Sequence, residues 1–354
     1  MKTMKTMKTM KKNLSKIGII AITTLSSCDL SNPQPETSKI YEDGYFVTNE
    51  GNFGQGNGSI SFVSNFGNVE NNVFAITNSF PLGDVVQSMS IIDDKSYILV
   101  NGSGKIEVAD IDSMTSVTTI DVSGPRYIAK VSDEKAYVTD WGINGVQVID
   151  LATNTISSTI SCGTGPEGIV VSNGFAYVCN VGGWGLDNTV SIINVETDIV
   201  ETTLTVGDKP ESAVVDVDGA VWVLSAGYTE WNSNWTQILS QTPGKLVKIM
   251  NNNIETTYTF NVGSNPGNLV INEDGTDLYF SNGSIYKMNI SESQLPNNPL
   301  INRGFYALGF NNGYLYGADA VDFSQNGWSF KYNSEGILID SVQVGIIPGG
   351  YCFN

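Results

Sequence analysis

The chain has 354 residues, 36 of them acidic and 18 basic, for a formal net charge of −18, and it contains no histidine. Without histidine, Ser-His-Asp and Cys-His catalysis and the His-based zinc, copper and iron sites are excluded. The acidic balance argues against nucleic acid as a partner and against docking on anionic lipid.

Residues 1–28 read as a targeting segment. Lys2, Lys5, Lys8, Lys11, Lys12 and Lys16 precede a mostly apolar run at 17–25, too short to span a bilayer. Leu25-Ser26-Ser27-Cys28 resembles the bacterial lipobox, whose cysteine is diacylated and becomes the mature N-terminus. On that reading the mature chain carries 36 acids against 12 bases, a formal charge of −24. Residues 29–44 are polar, contain Pro33 and Pro35, and read as a flexible tether.

From 45 to 354 one phrase recurs, a Gly/Pro turn running into a short β-branched strand. It occurs as Gly163-Thr164-Gly165-Pro166-Glu167-Gly168-Ile169-Val170-Val171 and returns around Pro125, Pro210, Pro266 and Pro348. Weaker copies have Val86 and Phe305 in the proline position. The seven anchors are separated by 39, 41, 44, 56, 39 and 43 residues. Each opens a strand A. An aromatic-apolar strand B follows, such as Tyr97-Ile98-Leu99-Val100, then an alternating strand C and a Thr/Val/Ile-rich strand D. A period of roughly 40–45 residues with four strands predicts an all-β, seven-bladed β-propeller of four-stranded antiparallel blades. The last anchor supplies only strand A. The seventh blade is therefore expected to be split, with Tyr45-Phe46-Val47-Thr48, Ser59-Ile60-Ser61-Phe62-Val63 and Val73-Phe74-Ala75-Ile76-Thr77 as its other strands.

Cys162, Cys179 and Cys352 stand in strand-like contexts and read as small buried hydrophobes. The acidic A–B turns, such as Asp216-Val217-Asp218-Gly219, read as tight hairpin turns rather than calcium sites. No motif for a cofactor is present, and no acidic pair stands out as a catalytic couple.

In this strand order the B–C and D–A connections share one face. Its B–C loops contain Phe53, Trp141, Trp184, Tyr228, Trp231, Trp235, Asp319 and Phe323, and Trp328 ends the last of them. The D–A connections add Arg126, Tyr127, Glu167, Glu211, Asn268 and Tyr306. Loops are normally polar, so aromatics gathered on one face mark a binding surface. Trp184, Trp231 and Trp235 are expected to line a shallow site near the central opening, with Arg126 and Glu211 supplying polar contacts. Some rings pack between blades on this reading, Trp141 above all.

The Gly-x-x-Pro turn, followed by Tyr-Val and Val-x-Val-Ile-Asp-x-x-Thr-Asn-Thr, resembles the YncE-like seven-bladed propellers. Asp150-Leu151-Ala152-Thr153-Asn154-Thr155 carries the likeness most clearly. With the lipobox and Asn49-Glu50-Gly51-Asn52-Phe53-Gly54, the chain also resembles surface lipoproteins that accompany TonB-dependent outer-membrane transporters, including the BtuG-like cobalamin binders. That resemblance implies a lipid-anchored, non-enzymatic surface protein of the bacterial outer membrane that captures a corrinoid for such a transporter. A glycan-binding lipoprotein and a protein-binding scaffold fit the same aromatic face.

Overall fold

The computed structural model describes residues 41–354. Cys28, the targeting segment and residues 29–40 of the expected tether lie outside the described residues.

The described residues form seven blades in a ring. Six sheets have four antiparallel strands, each in the simple order inner to outer. Blade 1 opens with the inner strand Val86–Ile92 and blade 2 with Pro125–Lys130. Blades 3 and 4 open with Pro166–Ser172 and Pro210–Val215. Blades 5 and 6 open with Gly267–Ile271 and Ala307–Asn311. Neighbouring inner strands pack against each other all the way round, so the ring is closed.

The closing blade is split as expected. Its inner strand Pro348–Phe353 comes from the C-terminus and pairs with Gly44–Asn49, which pairs in turn with Ser59–Ser64. The fourth strand is a correction. Val73-Phe74-Ala75-Ile76-Thr77 is not a strand but part of a helix, Val73–Asn78, and the outer strand is only Val69–Glu70. A strand would send Val73 and Phe74 to opposite faces. Here both are buried in the same cluster while Ile76 is exposed. Asn78 ties the helix to blade 1. Its Nδ2 donates to the Met114 carbonyl at 2.8 Å and its Oδ1 accepts the Ser116 N–H at 2.8 Å.

Blade 5 has three strands, and its fourth position holds only the bridge between Ile285 and Ile301. Between its second and third strands blade 4 carries an extra hairpin, Tyr228–Trp231 with Ile238–Thr242, which forms a separate two-stranded sheet. That hairpin fills the 56-residue interval between anchors.

The core lies between blades. Seven apolar clusters each draw on two neighbouring blades. Strand B shows why. Tyr97 and Leu99 face blade 2, while Ile98 and Val100 face the closing blade. Successive side chains point to opposite faces and both faces are covered, so the strand is apolar throughout. Cys179 and Cys352 are buried, and Cys162 is half-buried. The acidic turns are structural where they are best defined. Asp216 accepts the Ala220 N–H at 2.8 Å and the Trp222 indole N–H at 2.8 Å.

Deleting residues 348–354 removes the inner strand of the closing blade and exposes the edge of Gly44–Asn49. Such an edge invites aggregation. The truncated protein is expected to be insoluble or to lack a cooperative thermal transition; a melt superimposable on the full chain would refute the closure.

Candidate ligand-binding site

The B–C and D–A connections do share a face, and a bowl of about 1070 Å³ opens there. Its walls come mainly from the closing blade and blades 1 to 3, so it sits to one side of the axis. Its rim rings are bare. Trp184 is 98% exposed and Phe53 83%. Trp184 meets Trp141 edge-on at 6.0 Å. The loops can hold these rings because glycines let them turn. Gly182 and Gly183 have φ of 91° and 55°, and a side chain on Gly165 would strike the Gly183 backbone at 2.0 Å.

Arg126 forms the polar floor. It donates from Nε and from the terminal amine to the two carboxylate oxygens of Glu167, at 2.8 and 2.7 Å. The Trp141 ring lies 4.3 Å from the guanidinium carbon. Burial would lower the Arg126 pKa, but the Glu167 carboxylate more than offsets this and holds it above its usual value. A bidentate, ring-stacked guanidinium is a fixed charge at the base of the bowl. Beside it, Tyr306 donates to both oxygens of Glu50, at 3.1 and 3.3 Å. Burial raises the Glu50 pKa, and the Tyr306 hydrogen bond and the Arg126 charge oppose that rise.

The bowl opens into a second space, an axial channel of about 300 Å³ lined by the inner strands of all seven blades. Gln87, Tyr127, Asn268 and Gly349 line both. Glu211 lies in the channel wall and accepts the Asn268 backbone N–H at 3.0 Å. Burial pushes its carboxyl up to about 7, and the nearby Glu167 adds to the rise.

Seven of the expected site residues line the bowl: Phe53, Arg126, Tyr127, Trp141, Trp184, Asn268 and Tyr306. Glu167 is buried behind Arg126, and Glu211 lines the channel instead. Tyr228, Trp231 and Trp235 do not line the bowl, so the structure does not bring Trp231 and Trp235 together with Trp184 in it. They belong to the extra hairpin. A long loop between strands B and C can close its own hydrogen bonds as a separate hairpin. Asp319 is engaged by Arg303, and its Oδ1 accepts the Val321 N–H. Phe323 touches the site's edge, through an edge contact with Tyr306 at 5.4 Å and a hydrogen bond that its carbonyl accepts from Asn52 Nδ2 at 2.6 Å. Trp328 packs on Phe330. Asn101 lines the bowl from blade 1's short, polar B–C turn, which has no aromatic to mark it, and Gln87 lines it from the inner strand of the same blade.

Fold and site together define a closed β-propeller with an open, aromatic-rimmed bowl on one face, an arrangement compatible with ligand binding. The sequence profile of the family described as Domain of unknown function (DUF5074) matches residues 43–333, and the chain belongs to that family. A quinonprotein alcohol dehydrogenase-like protein from Bacteroides thetaiotaomicron has a similar structure, with a TM-score of 0.66 and 17% identity over 89% of this chain and 78% of that one. A functionally unknown protein from Desulfotomaculum acetoxidans gives a TM-score of 0.62 and 15% identity over 87% and 98%. At these identities the likeness shows the fold alone. PE-PGRS family protein PE_PGRS18 of Mycobacterium tuberculosis is 40% identical over 58 residues, so the chain spans only 13% of that protein.

Arg126→Ala should destabilise the fold by about 3 kcal/mol, because it strands the Glu167 carboxylate in a buried position. Adding Glu167→Gln should recover a large part of the loss. Urea denaturation of the two variants reads both effects, and a harmless Arg126→Ala would mean that the pair is solvated.

Proposed function

We propose that this protein is a non-enzymatic, lipid-anchored capture protein of the bacterial outer membrane. Its bowl takes a large amphipathic nutrient, a corrinoid first among candidates, for delivery to a TonB-dependent transporter. The observation that carries this reading is the pair of bare rings on the rim. Trp184 and Phe53 cover no core, and both border a concavity as large as the upper range of small-molecule pockets. Covering about 100 Å² of an indole face is worth roughly 2.5 kcal/mol. The fixed Arg126 charge and the Asn101, Asn144 and Asn268 side chains offer polar partners to a ligand with an amide-fringed or phosphate-bearing edge. The resemblance to lipoproteins that serve such transporters supplies the anchor and the partner.

An exposed indole bordered by Asn144 and Thr164 is also a surface on which a sugar ring stacks, which supports the glycan reading. One titration separates the two. Wild type and Trp184→Ala are titrated calorimetrically with cyanocobalamin and with a panel of oligosaccharides. Trp184→Ala should weaken the true ligand at least tenfold, about 1.4 kcal/mol, with the melting temperature unchanged. Unaltered affinity for whichever ligand binds would put the site elsewhere.

The anchor has its own test. Intact mass of the membrane-extracted protein should show a chain beginning at Cys28 with added acyl chains, and Cys28→Ala should shift it out of the membrane fraction. Cleavage elsewhere without lipid would end that part of the proposal.

A further inference from the structure

We propose that the axial channel is a second binding site, for a small organic amine in its protonated form. Glu211 is the counter-charge and Thr48 a hydrogen-bond acceptor. The site does not depend on what the bowl holds.

The charge comes first. Glu211 is set into the channel wall with one hydrogen bond from protein, the Asn268 N–H. No Lys or Arg is among the described residues lining the channel. Arg126, at the floor of the adjoining bowl, is committed to Glu167 and stacked on Trp141. A buried carboxylate without a cation is costly to ionise, and a bound positive charge removes that cost.

A second observation is independent of the first. Thr48 is 1% exposed, and its hydroxyl has no hydrogen-bond partner. Buried hydroxyls are normally satisfied. Thr48 sits on the second strand of the closing blade, opposite Gly350 of the inner strand. A side chain on Gly350 would come within 2.8 Å of the Thr48 hydroxyl. Glycine thus lets a second-strand oxygen face the channel. Glu211, on the inner strand of blade 4, has room for its carboxylate because the neighbouring inner strand of blade 5 carries Gly267, where a side chain would meet Oε1 at 2.4 Å.

Size and lining select the occupant. The channel's volume of about 300 Å³ equals the liquid share of roughly ten water molecules at about 30 Å³ each. That exceeds what a bare alkali ion fills. Met89, Ile169, Leu269, Val270 and Leu308 supply apolar wall for a carbon chain. Among the described residues no cluster of three or more acidic or cysteine side chains could hold a metal ion. A divalent ion would lack its shell of oxygen ligands. One carboxylate matches one ammonium.

The pH dependence has a definite sign. Glu211, pushed up to about 7, is mostly neutral at pH 5.5 and ionised at pH 8.5. The titratable groups that face it are Glu167 on blade 3, Tyr127 on blade 2 and Cys179 on the second strand of blade 3. Burial raises the tyrosine and the thiol, so both stay neutral across this window. An alkylamine, like a lysine side chain, stays protonated to about pH 10. Binding should therefore strengthen as pH rises from 5.5 to 8.5.

The test titrates wild type, Glu211→Gln and Thr48→Val calorimetrically with propylammonium chloride, propanol and potassium chloride, at pH 8.5 and 5.5. Wild type is expected to bind propylammonium at pH 8.5, at least tenfold more weakly at pH 5.5, and more tightly than propanol or potassium. Glu211→Gln should lose tenfold or more and Thr48→Val about threefold. Glu211→Gln keeps an oxygen for the Asn268 N–H, and Thr48→Val keeps the side chain's shape. The proposal is overturned by propylammonium affinity that ignores Glu211→Gln or pH, by its absence at pH 8.5, or by equal binding of potassium.

Discussion

A four-stranded blade is a thin sheet with two apolar faces, and only a ring gives every blade a neighbour on both. The rest of the structure depends on that constraint. Tyr177 and Cys179 face blade 4, while Ala176 and Val178 of the same strand face blade 2. No blade can bury such a strand alone, so stability belongs to the interfaces. Each interface needs both partners, and a gap anywhere would leave two apolar faces wet. The C-terminal strand closes the last gap, where Tyr45, Tyr316, Tyr351 and Phe353 form one aromatic group. Ring closure therefore joins residues far apart in sequence, as the Tyr45 and Ser329 hydroxyls show at 3.3 Å.

Because the interfaces carry stability, the connections on the open face are released from packing duty. Their glycines and asparagines in left-handed conformations shape the bowl, and Trp184 stands almost wholly in solvent. The inner ends of the strands are less free. There the Arg126–Glu167 pair links blades 2 and 3, with Trp141 as its lid. A fixed charge at that position serves both levels at once. It ties two blades together and presents a polar floor to whatever enters the bowl.

The repeat made the fold legible. Gly/Pro anchors and B strands apolar on both faces recur because the ring demands the same turn and the same two-sided burial seven times. Where the demand lapses, the pattern misleads. Val73–Asn78 lies outside the ring's inner layers, and five residues of β-branched and aromatic character satisfy a helix with two adjacent buried side chains equally well. The site was half legible for a related reason. Loop membership sorted the rings onto one face, but the radial position of a loop residue depends on how the loop folds back. Trp141 and Trp184 sit in turns pinned by glycine contacts and line the bowl. Trp231 and Trp235 ride a hairpin with its own ladder and do not.

The channel was the least legible part, since its chemistry comes as much from missing side chains as from present ones. A residue on the innermost strand normally screens the strand behind it. Glycine at that layer removes the screen, and the side chain one strand out becomes wall. Gly350 does this for Thr48 in the channel, and Gly349, whose added Cβ would lie 2.6 Å from the nearer Glu50 oxygen, leaves room for Glu50 in the bowl. Both belong to Gly349-Gly350, a pair that reads in sequence as turn punctuation after Pro348. In the ring the same pair is strand, paired through Thr48 and Gly350, and its lack of side chains admits the Thr48 hydroxyl to the channel and the Glu50 carboxylate to the bowl. The strand that closes the ring thus also decides whether the Thr48 hydroxyl can reach the channel.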